Sequence, residues 1–330
     1  MKGYFTKRLL SGLAASRSSV ALQVLLGLLA VSALSPDPAV AQGTQTETVV
    51  TVKSKPREMA APVPLSAIEL KVDNKKVALT AWDPVLGPGR GVQLMFVMDG
   101  QLRLAVGKEL QDIENFFMGL PPSVEVGVGY MVNGQVDIMQ NFTSDHALAG
   151  KAMQLPFGRA ALNGSPYFCL SELAKNWPSH EPGKMRAVFM VTDGVDRYNG
   201  ARSMDMDDPY VMAAIKDSQV AGLSVSSMYY RDAGLVDRTE AATITGQSLL
   251  QEVSQATDGE AYYEGDRSPI SMTPYLQRFQ ARIGNEYVAT FIAPGTGLQP
   301  FKAESKQKGV KVSAADHVEV GNVLYRPTGK

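Results

Sequence analysis

The fold of this chain is decided by the stretch Val92-Gln-Leu-Met-Phe-Val-Met-Asp99-Gly100. It is a continuous apolar run that ends at a carboxylate and a glycine, which is typical of a strand buried on both faces of a parallel sheet. The same pattern returns in Arg186-Ala-Val-Phe-Met-Val-Thr-Asp193-Gly194. Two such strands place Asp99 and Asp193 at one edge of one sheet, and open α/β sheets bind ligands at that edge. We therefore expect the functional site between these two carboxylates.

Strand and helix patterns alternate around these two runs. Apolar spacing and capping residues predict helices over 102–117, 144–151, 165–177, 209–221, 249–256 and 274–283, the second of them capped by Ser144. Further strands are predicted over 124–132, 135–141, 223–230 and 260–263. The recurring order of strand, helix and strand predicts an α/β fold, a doubly wound and mainly parallel sheet with helices on both faces.

The flanks of this region have different compositions. Residues 42–64 mix Thr, Gln, Pro and charge, which favours a flexible leader. Residues 65–91 are interpreted as a β-hairpin over 68–82, turning at Asp73-Asn74-Lys75-Lys76, followed by a linker. Residues 92–284 form the α/β domain, and residues 285–330 contain three alternating runs that predict a C-terminal β-extension. We expect the N- and C-terminal strands to form one small flanking β-sheet.

Residues 1–41 have the pattern of a signal peptide. Basic residues are followed by an apolar run over 20–34 and then by Ser35-Pro-Asp-Pro-Ala39-Val-Ala41, an Ala-x-Ala cleavage pattern. The apolar run is shorter than the ~20 residues of a spanning helix, so cleavage after Ala41 is favoured over retention as an anchor. The sequence therefore predicts a secreted or periplasmic protein with no membrane span after cleavage.

Composition and motifs exclude several functional classes. The net charge of -1 implies no general attraction to nucleic acid. Cys169 is the single cysteine, so no intrachain disulfide forms, and its apolar surroundings favour a buried, inert thiol. The sequence has no Gly-x-Ser-x-Gly elbow and no phosphate-binding loop, and its three histidines lie far apart. We therefore do not expect an enzyme.

The order of these elements resembles a von Willebrand factor A-type domain, and more narrowly the bacterial exported VWFA-related proteins. The residues that carry the resemblance are the two runs ending in Asp99 and Asp193, the strand Gly222-Leu-Ser-Val-Ser, and Ala256-Thr-Asp-Gly-Glu-Ala-Tyr-Tyr263 before the last helix. Glu286-Tyr-Val-Ala-Thr-Phe resembles the strand that leads out of that helix. The resemblance covers about residues 68–320 and implies an A-type fold.

Members of that family usually carry a metal-ion-dependent adhesion site. The resemblance implies an Asp-x-Ser-x-Ser motif, a Thr from a later loop and an Asp at the end of a strand, a set of oxygen ligands that suits a hard cation. Here the first motif is Asp99-Gly-Gln101-Leu-Arg103, and Ala160 in Phe157-Gly-Arg159-Ala-Ala-Leu takes the place of the Thr. Only the two aspartates remain. We expect a degenerate site with no metal or other cofactor, and Mg²⁺ or Ca²⁺ on Asp99 and Asp193 is the alternative.

A guanidinium group is the candidate replacement for the cation, since arginine pairs well with carboxylates. Arg103 or Arg159 is expected to reach between the two aspartates. The polar loop 193–208 is interpreted as a partner-binding loop. The alternatives are a weak Ca²⁺ loop, or a solvated loop in which Asp208 caps the following helix. The predicted partner-binding edge consists of Asp99, Gln101, Arg103, Arg159, Asp193, Asp196, Arg197 and Tyr198.

The sequence thus favours an exported protein-protein binding module of the adhesion type, with an unidentified protein partner and no metal. The first alternative is a metal-dependent adhesion domain, and the second is a hydrolase on the same fold.

Overall fold

The computed structural model describes residues 43–102, 104–156, 164–198, 208–231 and 239–324. The strands are β1 Thr44–Val52, β2 Ile68–Val72, β3 Lys75–Val77, β4 Leu79–Pro84, β5 Gly91–Asp99, β6 Val124–Val132, β7 Gln135–Thr143, β8 Lys184–Thr192, β9 Leu223–Tyr229, β10 Ala261–Tyr262, β11 Glu286–Ala293, β12 Gly297–Ser305, β13 Val312–Ala314 and β14 His317–Val320. The helices are α1 Leu110–Met118, α2 His146–Ala152, α3 Pro166–Lys175, α4 Pro209–Ala221, α5 Glu240–Ala256 and α6 Thr273–Gly284, with 3-10 turns at Leu65–Ala67 and Leu104–Glu109.

The predicted doubly wound sheet is confirmed. Six strands lie in the order β10-β9-β8-β5-β6-β7, and all neighbours are parallel except the edge pair β6 and β7. Every residue of the central strand β5 is buried, as its unbroken apolar sequence predicts. Successive side chains alternate between two cores, so that Phe96 packs with α1 and α6 on one face. Val97 packs with α3, α4 and α5 on the other face.

The leader prediction over 42–64 is wrong for its first part, because residues Thr44–Val52 form strand β1. β1 pairs antiparallel with β11 and with β13, and the side chains of Val50 and Val52 are buried. The stretch Thr44-Gln-Thr-Glu-Thr-Val-Val-Thr-Val52 is rich in β-branched residues, which suit a strand. Its threonines made the segment look like a polar leader, although threonine is also a β-branched residue that favours strands.

The expected single flanking sheet is replaced by two four-stranded sheets. One has the order β13-β1-β11-β4 and the other the order β14-β12-β2-β3. They share a core that includes the stacked rings of Phe291 and Phe301. The predicted hairpin over 68–82 is shorter than expected, because β2 and β3 turn at Asp73 and Asn74, both with positive φ, while β4 joins the other sheet.

Local signals at the helix ends were mostly informative. Asp208 caps α4 as predicted, and α4 ends at Gly222 in the left-handed region. Ser165, the first residue of the predicted helix over 165–177, is the cap of α3. The cap of α2 is Asp145 and not Ser144, since the Asp145 carboxylate accepts two backbone N–H groups. α5 begins nine residues earlier than predicted, at Glu240. Among the described residues, no helix is long and apolar enough to cross a membrane.

Candidate functional site

The two aspartates meet at the carboxyl edge of the central sheet. β5 and β8 are adjacent and parallel, with Met98 paired to Val191, so Asp99 ends one strand and Asp193 follows the end of the other. The negative charge of Asp193 is close enough to act on Asp99. The structure therefore brings together the two residues that the sequence placed at this edge.

Asp99 is buried, with an exposed fraction of 5%. Its Oδ1 accepts the backbone N–H of Gln101 at 2.9 Å, and its Oδ2 accepts the hydroxyl of Thr192 at 2.8 Å. Burial and then the charge of Asp193 raise the pKa of Asp99 from 3.8 to about 6, and the two hydrogen bonds oppose the rise. Both carboxylate oxygens of Asp99 thus have protein partners.

Asp193 is paired with a guanidinium group that the sequence did not assign to it. Arg197 Nη1 donates to Asp193 Oδ1 at 3.0 Å, and Arg197 Nη2 donates to Oδ2. Both side chains are largely buried, and this two-point geometry gives arginine–carboxylate pairs their strength. Arg103 and Arg159, the predicted partners, lie outside the described residues. The spacing of four between Asp193 and Arg197 is the sequence signal for this pair.

The loop that carries Asp193 is held against α5 by close backbone contacts. Gly194 has φ +69°, and a Cβ atom there would lie 2.5 Å from the carbonyl oxygen of Gly246 in α5. A Cβ on Gly246 would lie 2.1 Å from the carbonyl oxygen of Asp193. The hydroxyl of Tyr167 also donates to the carbonyl of Gly194 at 2.7 Å. These contacts explain why glycine occupies both positions.

Asp196 does not belong to the exposed partner-binding edge, and that part of the prediction is wrong. Its exposed fraction is 0%, and its Oδ1 accepts the backbone N–H of Tyr198 at 2.8 Å. The neighbouring backbone N–H of Arg197 donates to the carbonyl of Gly164 at 3.0 Å. The buried Asp196 side chain therefore stabilises the loop conformation, and it is not available to a partner.

Tyr198 is exposed and belongs to an aromatic cluster that the sequence analysis did not anticipate. The cluster consists of Phe168, Tyr198 and Tyr210, whose ring centroids are 5.3 to 5.4 Å apart. Tyr198 is 54% exposed and Phe168 is 41% exposed. Phe168 lies in the first turn of α3, two residues after Pro166, and Tyr210 lies in the first turn of α4, directly after Pro209. Each of these proline-started helices has an aromatic residue in its first turn, but the sequence alone does not distinguish Phe168 from the buried Tyr167 beside it.

The described donors at this edge do not by themselves form a ligand set for a hard divalent cation. Mg²⁺ and Ca²⁺ need several available oxygen ligands. The carboxylate oxygens of Asp99 accept hydrogen bonds from Gln101 and Thr192, and those of Asp193 accept hydrogen bonds from Arg197. Across the described ranges, no group of three or more His, Cys, Asp or Glu side chains is arranged to hold a metal ion. Asp208, at the end of the polar loop, caps α4, while 199–207 lie outside the description.

No protein-family model matches the chain, and no curated protein matches it. Among solved structures it is similar to an aerotolerance-related membrane protein from Bacteroides fragilis NCTC 9343, with 14% identity over 58% of this chain and 98% of that chain and a TM-score of 0.40. It is similar to a von Willebrand factor type A protein from Catenulispora acidiphila, with 11% identity over 88% and 76% of the two chains and a TM-score of 0.39. It is also similar to the pilus adhesin SpaC from Lactobacillus rhamnosus GG, with 10% identity over 76% and 47% and a TM-score of 0.43.

Structures of the von Willebrand factor A type recur among the similar ones. At these identities, the ligand and the partner of this chain have to be argued from its own residues.

Proposed function

We propose that this protein is an exported protein-binding module that contacts a protein partner through the carboxyl edge of its central sheet, without a metal ion. The observation that carries the proposal is the exposed aromatic cluster of Phe168, Tyr198 and Tyr210 beside the closed Asp193–Arg197 pair. Exposed aromatic rings clustered at a ligand-binding edge are typical of interface anchors.

The cluster is presented in a preorganised form. Tyr198 follows Arg197, whose side chain is held by Asp193 and whose backbone is held by Gly164. Phe168 and Tyr210 lie at the starts of two helices, α3 and α4, that pack against each other. Binding to a rigid aromatic surface costs little conformational entropy, which favours affinity for a partner.

Metal independence is supported by the chemistry of the Asp193–Arg197 pair. A metal-dependent adhesion site leaves an open coordination position for a carboxylate of the partner, and here the guanidinium of Arg197 occupies both oxygens of Asp193. The positive charge that a cation would bring is supplied by the protein itself. A metal-dependent module on Asp99 and Asp193 remains the alternative, and the assay below separates the two.

A binding role is also favoured over a hydrolase by the groups beside Asp99. Ser165 and Cys169 line a small cavity of about 30 Å³ next to that carboxylate. The Ser165 hydroxyl oxygen accepts the backbone N–H of Phe168 as a helix cap. Burial and then the charge of Asp99 raise the pKa of Cys169 to about 12, so its thiol stays protonated and poorly nucleophilic.

Export is the part of the proposal that rests on residues 1–41, which lie outside the described part of the chain. Their basic start, apolar run and Ala39-Val-Ala41 ending support cleavage and release into the periplasm or the medium. N-terminal sequencing of the exported protein should begin at Gln42, and a first residue of Met1 would contradict the cleavage.

The binding proposal is tested by site-specific photo-crosslinking. A photoreactive amino acid replaces Tyr198 in one variant and Met118 in the control, because Met118 is also exposed and ends α1 on the opposite side of the sheet. We expect a discrete crosslinked protein from the exported fraction at position 198 only, unchanged by EDTA and lost in the background of Phe168→Ser with Tyr210→Ser. Crosslinking that requires added Mg²⁺ or Ca²⁺ would establish the metal-dependent alternative, and equal products at both positions would refute the assigned surface.

A further inference from the structure

A second candidate site lies at the other end of the sheet, remote from the carboxyl edge. It is a cleft of about 330 Å³ between the chain that follows β1, the C-terminal half of α5, the start of β10 and α6. Gly259 and Glu260, which line it, precede β10, so the cleft lies on the amino-terminal side of that edge strand. The cleft does not share any residue with the aromatic cluster or with the Asp99 and Asp193 pair.

The lining of the cleft is strongly cationic. Five of its side chains are positively charged and one, Glu260, is negatively charged. These cations come from separate elements, two from α6 and three from the segment after β1, and the fold brings them together. They are Lys53, Lys55, Arg57, Arg278 and Arg282.

Three of the five cations already have acidic partners. Arg282 lies within 3.2 Å of Asp258 and 3.3 Å of Glu286, and it forms the buried floor of the cleft. Arg278 pairs with Glu260, and Lys55 lies 3.8 Å from Glu58.

Lys53 and Arg57 are the two cations left over. Within the part of the chain that the structure describes, neither forms an ion pair. Partial burial and then the positive charge of Arg282 lower the pKa of Lys53, and the more weakly acting charges of Asp258, Glu260 and Glu286 do not offset this effect. The cleft thus holds positive charge in excess of its own acids.

Hydrogen-bond donors complete the lining. Gln251 and Gln255 lie four residues apart on one face of α5, and both expose their amides to the cleft. Asn285 is fixed by its own bonds to Ser54 and to the carbonyl of Glu58. Cations together with amide donors around one concave space match the oxygens of an anionic ligand.

We propose that this cleft binds an organic polyanion, a small molecule or attached group that carries at least two phosphate or carboxylate charges. The anion pairs with Lys53 and Arg57 and accepts hydrogen bonds from the glutamines of α5. The volume lies at the lower end of ligand pockets and exceeds what a single inorganic ion needs. The polar lining does not suit an apolar ligand. This site is independent of the proposed partner surface, and either can fail without the other.

The test is isothermal titration calorimetry of the full exported chain with two probes, pyrophosphate and citrate. The cleft variant combines Lys53→Gln with Arg57→Asn, because asparagine tolerates the positive φ of residue 57. The control variant combines Lys75→Gln with Lys302→Gln, which removes the same charge from exposed lysines elsewhere. We expect saturable binding of at least one probe, a Kd raised about tenfold or more in the cleft variant, and an unchanged Kd in the control.

The probe that binds identifies the source of the charge, since pyrophosphate alone supports a phosphate ligand and citrate alone supports a polycarboxylate. A second readout is proton uptake, measured by repeating the titration at alkaline pH in buffers of different ionisation enthalpy. An anion beside Lys53 raises its pKa, so binding should take up protons in the wild type and not in the cleft variant. The absence of saturable binding by either probe, or equal affinities in the cleft and control variants, would overturn the proposal.

Discussion

Replacement of Asp99 by asparagine should stabilise the protein at neutral pH. Asp99 is buried with its pKa raised from 3.8 to about 6, by burial first and by Asp193 second. A carboxyl group with a raised pKa favours the folded state only while it is protonated. Its contribution is complete below pH 3.8 and is lost as the pH rises through about 6. At pH 7 the wild-type protein therefore carries the full cost of the buried charge.

The magnitude follows from the size of the shift. A rise from 3.8 to about 6 corresponds to about 3 kcal/mol of unfolding free energy lost between acidic and neutral pH. Asparagine removes that cost and keeps the bond from the backbone N–H of Gln101. The Thr192 hydroxyl loses its acceptor, because the amide NH2 of asparagine replaces the carboxylate oxygen that accepted this hydrogen bond. The lost hydrogen bond costs about 1 kcal/mol. The expected net gain at pH 7 is about 2 kcal/mol.

The assay is urea unfolding at several pH values between 4 and 7, followed by the fluorescence of the buried Trp177. The wild type should lose stability across this range relative to Asp99→Asn, and the two curves should cross, with the variant the less stable near pH 4. Asp137→Asn on the edge strand β7 is the control, because Asp137 is exposed and should leave the pH-dependence unchanged. A variant that is less stable than the wild type at pH 7, or that keeps the same pH-dependence, would refute this account of the site.

Two further predictions concern residues that stabilise the carboxyl edge and the cleft. Gly246→Ala should lower the unfolding free energy by about 1–3 kcal/mol, because its Cβ would lie 2.1 Å from the backbone oxygen of Asp193. Gly150→Ala in α2 is the control, because its Cβ would meet only the flexible side chain of Glu114. We expect thermal melts to show a loss for the first variant and none for the second. Arg282→Met should cost about 3–5 kcal/mol in urea unfolding, because it leaves the buried Asp258 and Glu286 without their cation. Arg278→Met, on a partly exposed pair, should cost about 1 kcal/mol or less, and equal losses in the two arginine variants would contradict the role given to Arg282.

The sequence predicted those features that depend on local pattern. The unbroken apolar runs before Asp99 and Asp193 identified two neighbouring buried strands, and the Asp-Gly endings placed both carboxylates at one edge. The helix starts at Ser165-Pro166 and Asp208-Pro209 were equally local signals. In each case the determining residues lie within a few positions of one another.

The remaining features depend on contacts between distant segments. The partner of Asp193 is decided by the path of the loop 194–198, which is fixed by Gly246, Tyr167 and Gly164 and cannot be derived from spacing alone. The aromatic cluster exists only because α3 and α4 pack side by side. The burial of Asp196 likewise follows from that loop, which is why its assignment to the exposed edge failed.

Strand β1 has a consequence for the order in which the protein assembles. It lies between β11 and β13, and the hydrogen bond from Thr290 to Glu47 joins residues 243 positions apart. During synthesis, both edges of this threonine- and valine-rich strand therefore lack their partner strands until the whole central domain has been made. Contacts of such long sequence separation form late and slow folding, and open edges invite pairing with other chains. We therefore expect β1 to pair with β11 and β13 late in folding, and its edges can pair with strands of other chains until then.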